Sequence, residues 1–313
     1  MAHSHSDHHQ HHASTGFRLV LAMALTIAFV GFEAAAGWYA NSLALLTDAA
    51  HNLTDALALG LSWYAHKLAS RPSNAAKTFG YHRAGILVAL LNSTTLALIA
   101  LGIFHEAWGR FVDPPEVASD LLMSVGVAAL VFNLLTAWLV SHGSEHDLNL
   151  HSAFIHLLGD VFSSFGAIAA GIGIWLTGKL WLDPAVSVLI GLLILWNAGS
   201  ILRETITILL ESTPDGIDMS RMVRDFLQVE GVLGVHDLHV WSISRSLKML
   251  SAHVLINDIP ISQANQIQRR IRVIMCEQYG INHCTLQMEC EGCEPDELYC
   301  DMGDHAHHHH HHD

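Results

Sequence analysis

Charge is what this chain has least of. Only 14% of its 313 residues are Asp, Glu, Lys or Arg, against about 25% in an ordinary soluble domain. With 51% of residues hydrophobic, the composition points to a membrane protein that carries a soluble portion. Basic residues are scarcer still, 15 Lys and Arg against 29 Asp and Glu. A formal charge of −14 excludes the basic footprint of a nucleic-acid binder, so no nucleic-acid partner is expected. The five cysteines, Cys276, Cys284, Cys290, Cys293 and Cys300, all lie near one end. An odd number confined to one region is not the disulfide framework of a secreted protein. No nucleophile constellation or phosphate-binding glycine loop is present, so an enzyme is not expected. The opening stretch MAHSHSDHHQHH has no basic region followed by a small-residue cleavage pattern, so no signal peptide is expected. Histidine, by contrast, is in excess, with 25 residues.

A bilayer is crossed by about 20 apolar residues in a helix. Six segments of that kind occur, at about 17–38, 44–66, 86–108, 119–141, 151–177 and 184–208. An even number of spans puts both termini on one side. Arg18, Lys67, Arg71, Lys77, Arg83 and Arg203 flank one side, and only Arg110 and Lys179 the other. The positive-inside bias makes the first side cytoplasmic, the compartment in which cysteines stay reduced. Asp183-Pro184 reads as a cap and first-turn proline opening the sixth helix. Beyond ESTPDG (211–216) the pattern becomes that of a soluble domain. A helix with Met222, Phe226 and Val229 on one side is followed by two strands, an amphipathic helix and a last strand. That order, α-β-β-α-β, predicts a small α+β ferredoxin-like layer. The expected organisation is therefore a His-rich N-terminus (1–16), an α-helical membrane domain of six transmembrane helices (17–210), and a cytoplasmic ferredoxin-like domain (211–291). A Cys/His-bearing tail (292–313) follows, whose terminal His run resembles an expression tag and is set aside.

Ionisable residues at membrane depth carry the chemistry. His51 and Asp55 are four apart in DAAHNLTDALALG, and His156 and Asp160 repeat the spacing in HLLGD. On helices each pair shares a face. Two helices converging would supply two nitrogens and two oxygens, a set that suits tetrahedral zinc. Two ionised Asp in a membrane cost about 2.5–3.5 kcal/mol each on insertion scales, and a divalent cation brings that pair to neutrality. Imidazole titrates near neutral pH, so metal and protons compete for the same lone pairs. A site with that competition, opened to each side in turn, is a metal–proton exchanger. Imidazole with carboxylate also suits Co²⁺, Ni²⁺ or Cu²⁺, whereas Mg²⁺ and Ca²⁺ prefer more oxygens. An isolated His of this kind is more often a structural contact; the repeated spacing on two spans is what argues for ligation.

SLALLTDAAHNLTD, KTFGYHRAGILVALLN, HLLGD, WLDPAVSVLIGLLIL, VHDLHVW, SAHVLIND and CTLQME together resemble the cation diffusion facilitator family, its zinc-exporter group in particular. The resemblance runs from Gly16 to Glu291. It implies a homodimer of six-helix protomers that exports divalent metal from the cytoplasm by exchange with protons. His51, Asp55, His156 and Asp160 match its transport-site positions, and His at the first of these is associated with zinc preference. His82 matches a loop histidine that binds zinc in some members, against the plainer alternative of a solvated loop residue. His236, His253 and Glu289 match cytoplasmic-domain ligands. The chain departs from the family at Gly85, where Glu is common, and at Asn265, where some members place a further His ligand. It departs again in the short loop SHGSEHDLNLH, with His142, His146 and His151. By the same resemblance Arg83 and Glu211 would form a charge interlock near the membrane.

Cys290-x-x-Cys293 has metal-ligand spacing, and with His283 and Cys300 it could hold another cytoplasmic zinc; a flexible reduced tail is the alternative. Asp48, Glu33 and Asn92 are intramembrane polar residues without an assigned role, and Trp241 reads as a core or dimer contact. The expected function is a zinc(II)/proton antiporter of the bacterial inner membrane, with Zn²⁺ as cargo and regulatory ligand and with cobalt and cadmium as lesser substrates. A membrane-anchored metal sensor or buffer is the rival. It would use the soluble-domain residues but has no need of four ligands at membrane depth.

Overall fold

The computed structural model describes the backbone of residues 8–141 and 148–290, and the side chains of 24–138 and 157–290. Six long helices come first: α1 (His8–Ala40), α2 (Leu43–Ala69), α3 (Ala84–Val112), α4 (Ser119–Ser141), α5 (Leu148–Thr177) and α6 (Leu182–Leu209). A small α+β unit follows: α7 (Met219–Leu227), β1 (Val232–Ser242), β2 (Lys248–Ile256), α8 (Ile261–Tyr279) and β3 (His283–Glu289). The chain divides into two compact units, one built from the chain up to Lys67 with Val88–Arg203, the other from Leu68–Leu87 with the chain from Glu204 on. Residues 68–87, between α2 and α3, thus belong with the α+β unit.

Among the described residues, Ala84–Val112, Ser119–Trp138, Leu157–Thr177 and Leu182–Leu209 are long and apolar enough to cross a bilayer, and Ala24–Ala40 is apolar but shorter. α2 has the length, 27 residues, but Asp48, His51 and Asp55 dilute its hydropathy. The core of the membrane unit interleaves small side chains, Ala36, Ala40, Ala44, Ala100, Ala167, Ala170 and Ala198, with buried Leu, Ile and Val. Its outer surface carries large apolar ones such as Trp108, Trp175, Leu189 and Trp196. This is the arrangement expected where lipid, not water, is the solvent and helices associate by close packing. α4 and α5 approach closely at Gly171, where a Cβ would sit 2.6 Å from the Met123 side chain. Phe29 of α1 stacks on Phe132 of α4 at 4.6 Å.

Asp183 does something other than the sequence predicts. α6 begins at Leu182, so Asp183 already lies inside it, and its carboxylate turns to the start of α2. It accepts from Ser42 Oγ, from Leu43 N at 2.7 Å and from Ala44 N at 3.3 Å. These are the donors a helix leaves unsatisfied at its N-terminus, so α2 is capped by a residue 140 positions away. Asn41, at φ +53, makes the turn out of α1, and Arg110 donates to its carbonyl at 2.7 Å. The α1–α2, α3–α4 and α5–α6 connections thereby gather at one end of the unit. The sequence assigns that end to the outer face.

In the α+β unit the strand order is β1-β2-β3, with β1 antiparallel and β2 parallel to its neighbour β3. α7 and α8 cover one face. Met222 and Phe226, with Ile267, Ile271 and Met275, pack on Leu238, Val240, Leu250, Ala252, Val254 and Leu286. Alternate residues point to the other face, which carries His236, His253 and Trp241. α8 ends at Gly280, whose left-handed φ of +66 lets its N–H and that of Ile281 return to the helix. Two ion pairs tie the neighbouring segments: Arg83 meets Glu211 at 2.5 Å, and Arg245 grips Glu204 with two bonds of 2.7 Å. Both are exposed, so each contributes under about 1 kcal/mol.

Asp183→Ala removes the cap of α2 and is expected to cost about 1–2 kcal/mol. The measurement is thermal unfolding in detergent followed by tryptophan fluorescence. An unchanged melting temperature would show that water or a neighbour replaces the carboxylate.

Candidate metal centres

In the membrane unit α2 and α5 bring three of the four predicted ligands together. His51 Nε2 lies 3.4 Å from Asp55 Oδ2, one turn along α2, and 3.6 Å from Asp160 Oδ1 on α5. Donors held at 2.0–2.1 Å by a tetrahedral zinc are about 3.3 Å apart, so both edges are close to those of a loaded site. The set is nonetheless open: His51 stands between the acids, and the three groups are not all within the mutual 4.8 Å that marks the tighter cluster described below. His51 and Asp160 are 7% and 6% exposed. The side chain of the fourth predicted ligand, His156, lies outside the described residues.

The surroundings contain polar groups that sequence reasoning missed. Ser163 donates to Asp48 Oδ1. Asn133 on α4 donates to Ser164 Oγ at 3.0 Å and to the Asp160 carbonyl at 3.3 Å, and Ser164 returns to that carbonyl at 2.9 Å. The backbone that carries Asp160 is therefore pinned to α4, which fixes where its carboxylate can point. Ser163 and Ser164 follow Asp160 by three and four residues. That spacing was a signal, since it puts them on the same helix face. Asp48 and Glu33 are fully buried beside this cluster, Glu33 at 0% exposure.

In the α+β unit His236, His253 and Glu289 each offer one ligand atom, all within 4.8 Å of one another. His236 Nε2 is 3.2 Å from Glu289 Oε2, and His253 Nδ1 is 3.0 Å from Glu289 Oε1. The two rings stand edge to face, 5.2 Å apart. Strand pairing explains the convergence. His236 pairs with His253 across β1–β2, and Glu289 lies two residues beyond Gln287, the β3 partner of His253. All three side chains therefore leave the sheet face that α7 and α8 do not cover. His236 is 2% exposed and its Nε2 makes no hydrogen bond. A buried ring nitrogen facing a carboxylate without a hydrogen bond fits a cation between them better than it fits a finished polar contact.

The remaining candidates are dispersed. His82 sits in the turn after Gly80, partly buried. His283 opens β3, exposed, with its ring edge-on to Phe79 at 6.4 Å. Among the described residues neither joins a cluster of three ligand groups. Cys290 is exposed, while Cys293 and Cys300 lie outside the described residues, as do His142 and His146 and the side chain of His151. Burial pushes the Cys284 thiol above its usual range, with Arg272 opposing weakly. A thiol kept protonated is a poor metal ligand, and the Cys284 Sγ is instead directed at the Ile281 carbonyl.

Known proteins match this chain along nearly its whole length. The cation efflux transmembrane domain matches residues 19–210, and the cytoplasmic domain of cation efflux proteins matches 214–291. A protein of Bacillus subtilis named as a cadmium, cobalt and zinc/H(+)-K(+) antiporter is 39% identical over 287 residues, which is 90% of this chain and 92% of that protein. The metal cation efflux system protein CzcD of Cupriavidus metallidurans is 35% identical over 286 residues, 91% of this chain and 90% of the relative. The zinc transporter ZitB of Pectobacterium atrosepticum is 38% identical over 311 residues, 98% of this chain and 94% of the relative.

The raised Cys284 pKa has a kinetic consequence. The thiolate is the form that alkylates, so Cys284 should react with iodoacetamide more slowly than exposed Cys276 at neutral pH. Its rate should keep rising at pH values where an ordinary thiol has levelled off. Mass spectrometry of peptides after timed labelling reads both rates, and equal rates at every pH would contradict the burial argument.

Proposed function

The chain belongs to the cation efflux family, and on that premise we propose that it exports zinc(II) from the cytoplasm in exchange for protons. The observation that carries the reading is His51 standing between Asp55 and Asp160 on two helices of the membrane unit. Carboxylates in an apolar interior demand a cationic partner. A divalent ion supplies two charges, and protons on the same oxygens and imidazole supply them when the ion leaves. The site therefore exchanges one kind of cation for the other without ever holding a bare pair of negative charges. Alternating exposure to the two sides turns that competition into coupled transport, provided metal affinity differs between the two conformations. His51, Asp55, Asp160 and His156 are the proposed transport ligands.

Nitrogen and oxygen donors in equal number rank zinc first, with cobalt and cadmium as further cargo; the names of the relatives include all three metals. Basic flanks support a cytoplasmic position for both termini and for the α+β unit, and the bacterial relatives support the inner membrane. In that unit His236, His253 and Glu289 would hold a regulatory zinc, and the unit would join two protomers. A sensor or buffer needs only this second site. The acids converging inside the membrane unit favour a carrier.

The deciding experiment loads purified protein into vesicles and follows zinc uptake and internal pH together. Zinc entry with opposed proton movement is expected, with smaller signals for cobalt and cadmium. Asp55→Ala and Asp160→Ala should each abolish both fluxes while the protein still elutes as a folded dimer. Normal transport by either variant would end the ligand assignment. Zinc flux indifferent to a proton gradient would end the exchange mechanism. His51→Asp should broaden selectivity toward cadmium.

A further inference from the structure

His236 and His239 are three apart, and in a regular strand they would face opposite sides of the sheet. The pairing shows why they do not. His236 pairs with His253 and His239 with Ser251, so Asp237 and Leu238 together oppose Ala252 alone. This is a β-bulge. Leu238 goes to the core, 0% exposed, while Asp237 takes up a left-handed conformation, φ +48, which Asp tolerates better than most residues. Its carboxylate lies 2.9 Å from His239 Nε2 through one oxygen and 3.6 Å from His253 Nε2 through the other.

From this geometry we propose that Asp237 is a positioning residue for the His236–His253–Glu289 metal site, taking the outer ring N–H of His253 when the inner nitrogen binds the ion. The proposal rests on the reading of those three residues as ligands. His253 Nδ1 faces Glu289 at 3.0 Å, so it is the nitrogen on the ligand side, and Nε2 faces Asp237. A neutral imidazole has one protonated nitrogen. Once the ion takes the Nδ1 lone pair, the proton must reside on Nε2, where an acceptor is then needed. At 3.6 Å the Asp237 oxygen is beyond a hydrogen bond, but a small rotation of the ring or of the carboxylate closes the gap. His239 holds the other oxygen and so keeps the carboxylate aimed. Carboxylates behind metal-bound histidines fix the ring and raise its basicity, and losing one lowers metal affinity about 10–100-fold.

The backbone at Asp237 allows a test that separates this role from simple support of the bulge. Glycine adopts positive φ freely, so Asp237→Gly keeps the bulge and removes the carboxylate, whereas Asp237→Asn keeps a neutral acceptor. Zinc affinity is measured on the full chain in detergent by competition with a chromophoric chelator, and the site is defined as the binding lost in His236→Ala. Metal-free melting temperatures are recorded in parallel. The expected order of affinity is Asp, then Asn, then Gly, with a fall of about 10–100-fold for Gly and a metal-free melting temperature no lower than the parent's. Parent-like affinity in Asp237→Gly overturns the proposal. So does an affinity loss that comes with a lowered metal-free melting temperature, since that is a backbone effect. If His236→Ala and Glu289→Ala bind as much zinc as the parent, the ligand set itself fails and this inference fails with it. If those two lose the site while Asp237→Gly keeps it, the inference alone is wrong.

Discussion

Negative charge in an apolar interior is the constraint on which the membrane unit depends. Asp48, Asp55, Asp160 and Glu33 are all carried by helices whose neighbours are Ala, Leu, Ile and Val. Each carboxylate that stays ionised in such a medium needs a positive partner within a few ångströms. His51 stands between Asp55 and Asp160, so its imidazole is within reach of both acids. Small residues elsewhere in the bundle let helices pack closely, and the Asn133–Ser164 bonds hold α5 against α4 where Asp160 needs a fixed direction.

The α+β unit solves a related problem with a different geometry. A three-stranded sheet covered on one side by α7 and α8 leaves its second face for polar work. Cross-strand neighbours sit about 5 Å apart, close enough for His236 and His253 to share an ion. Glu289 reaches the same point from β3 and faces both rings. Since β1, β2 and β3 belong to one packed core, that core sets the positions of the three side chains.

Much of this was legible in the residues. The six helices, the α-β-β-α-β order and the paired His-x-x-x-Asp spacings follow from periodicities of 3.6 and 2 and from the cost of charge at membrane depth. The candidate ligands of the α+β unit are signalled by resemblance and not by spacing, because His236, His253 and Glu289 are far apart in the chain and share no local pattern. Asp183 was misread for an understandable reason: Asp before Pro is a common helix opening, and nothing local says that its carboxylate caps a helix 140 residues earlier. Asp237 was invisible for another reason, since a bulge is a property of two strands in register and not of either alone.

The sequence by itself determined that this is a membrane protein of the cation efflux family, with acids and imidazoles at membrane depth and a small α+β unit after them. The membrane character and the α+β unit rest on composition and short-range periodicity, and the family on the resemblance of short motifs, all of which a linear chain carries in full. Tertiary structure alone decided which oxygen faces which nitrogen: His51 between two acids, Asp183 on the start of α2, Asp237 behind His253. Such contacts depend on the packing of segments distant in sequence, where a shift of one residue or one ångström changes the partner.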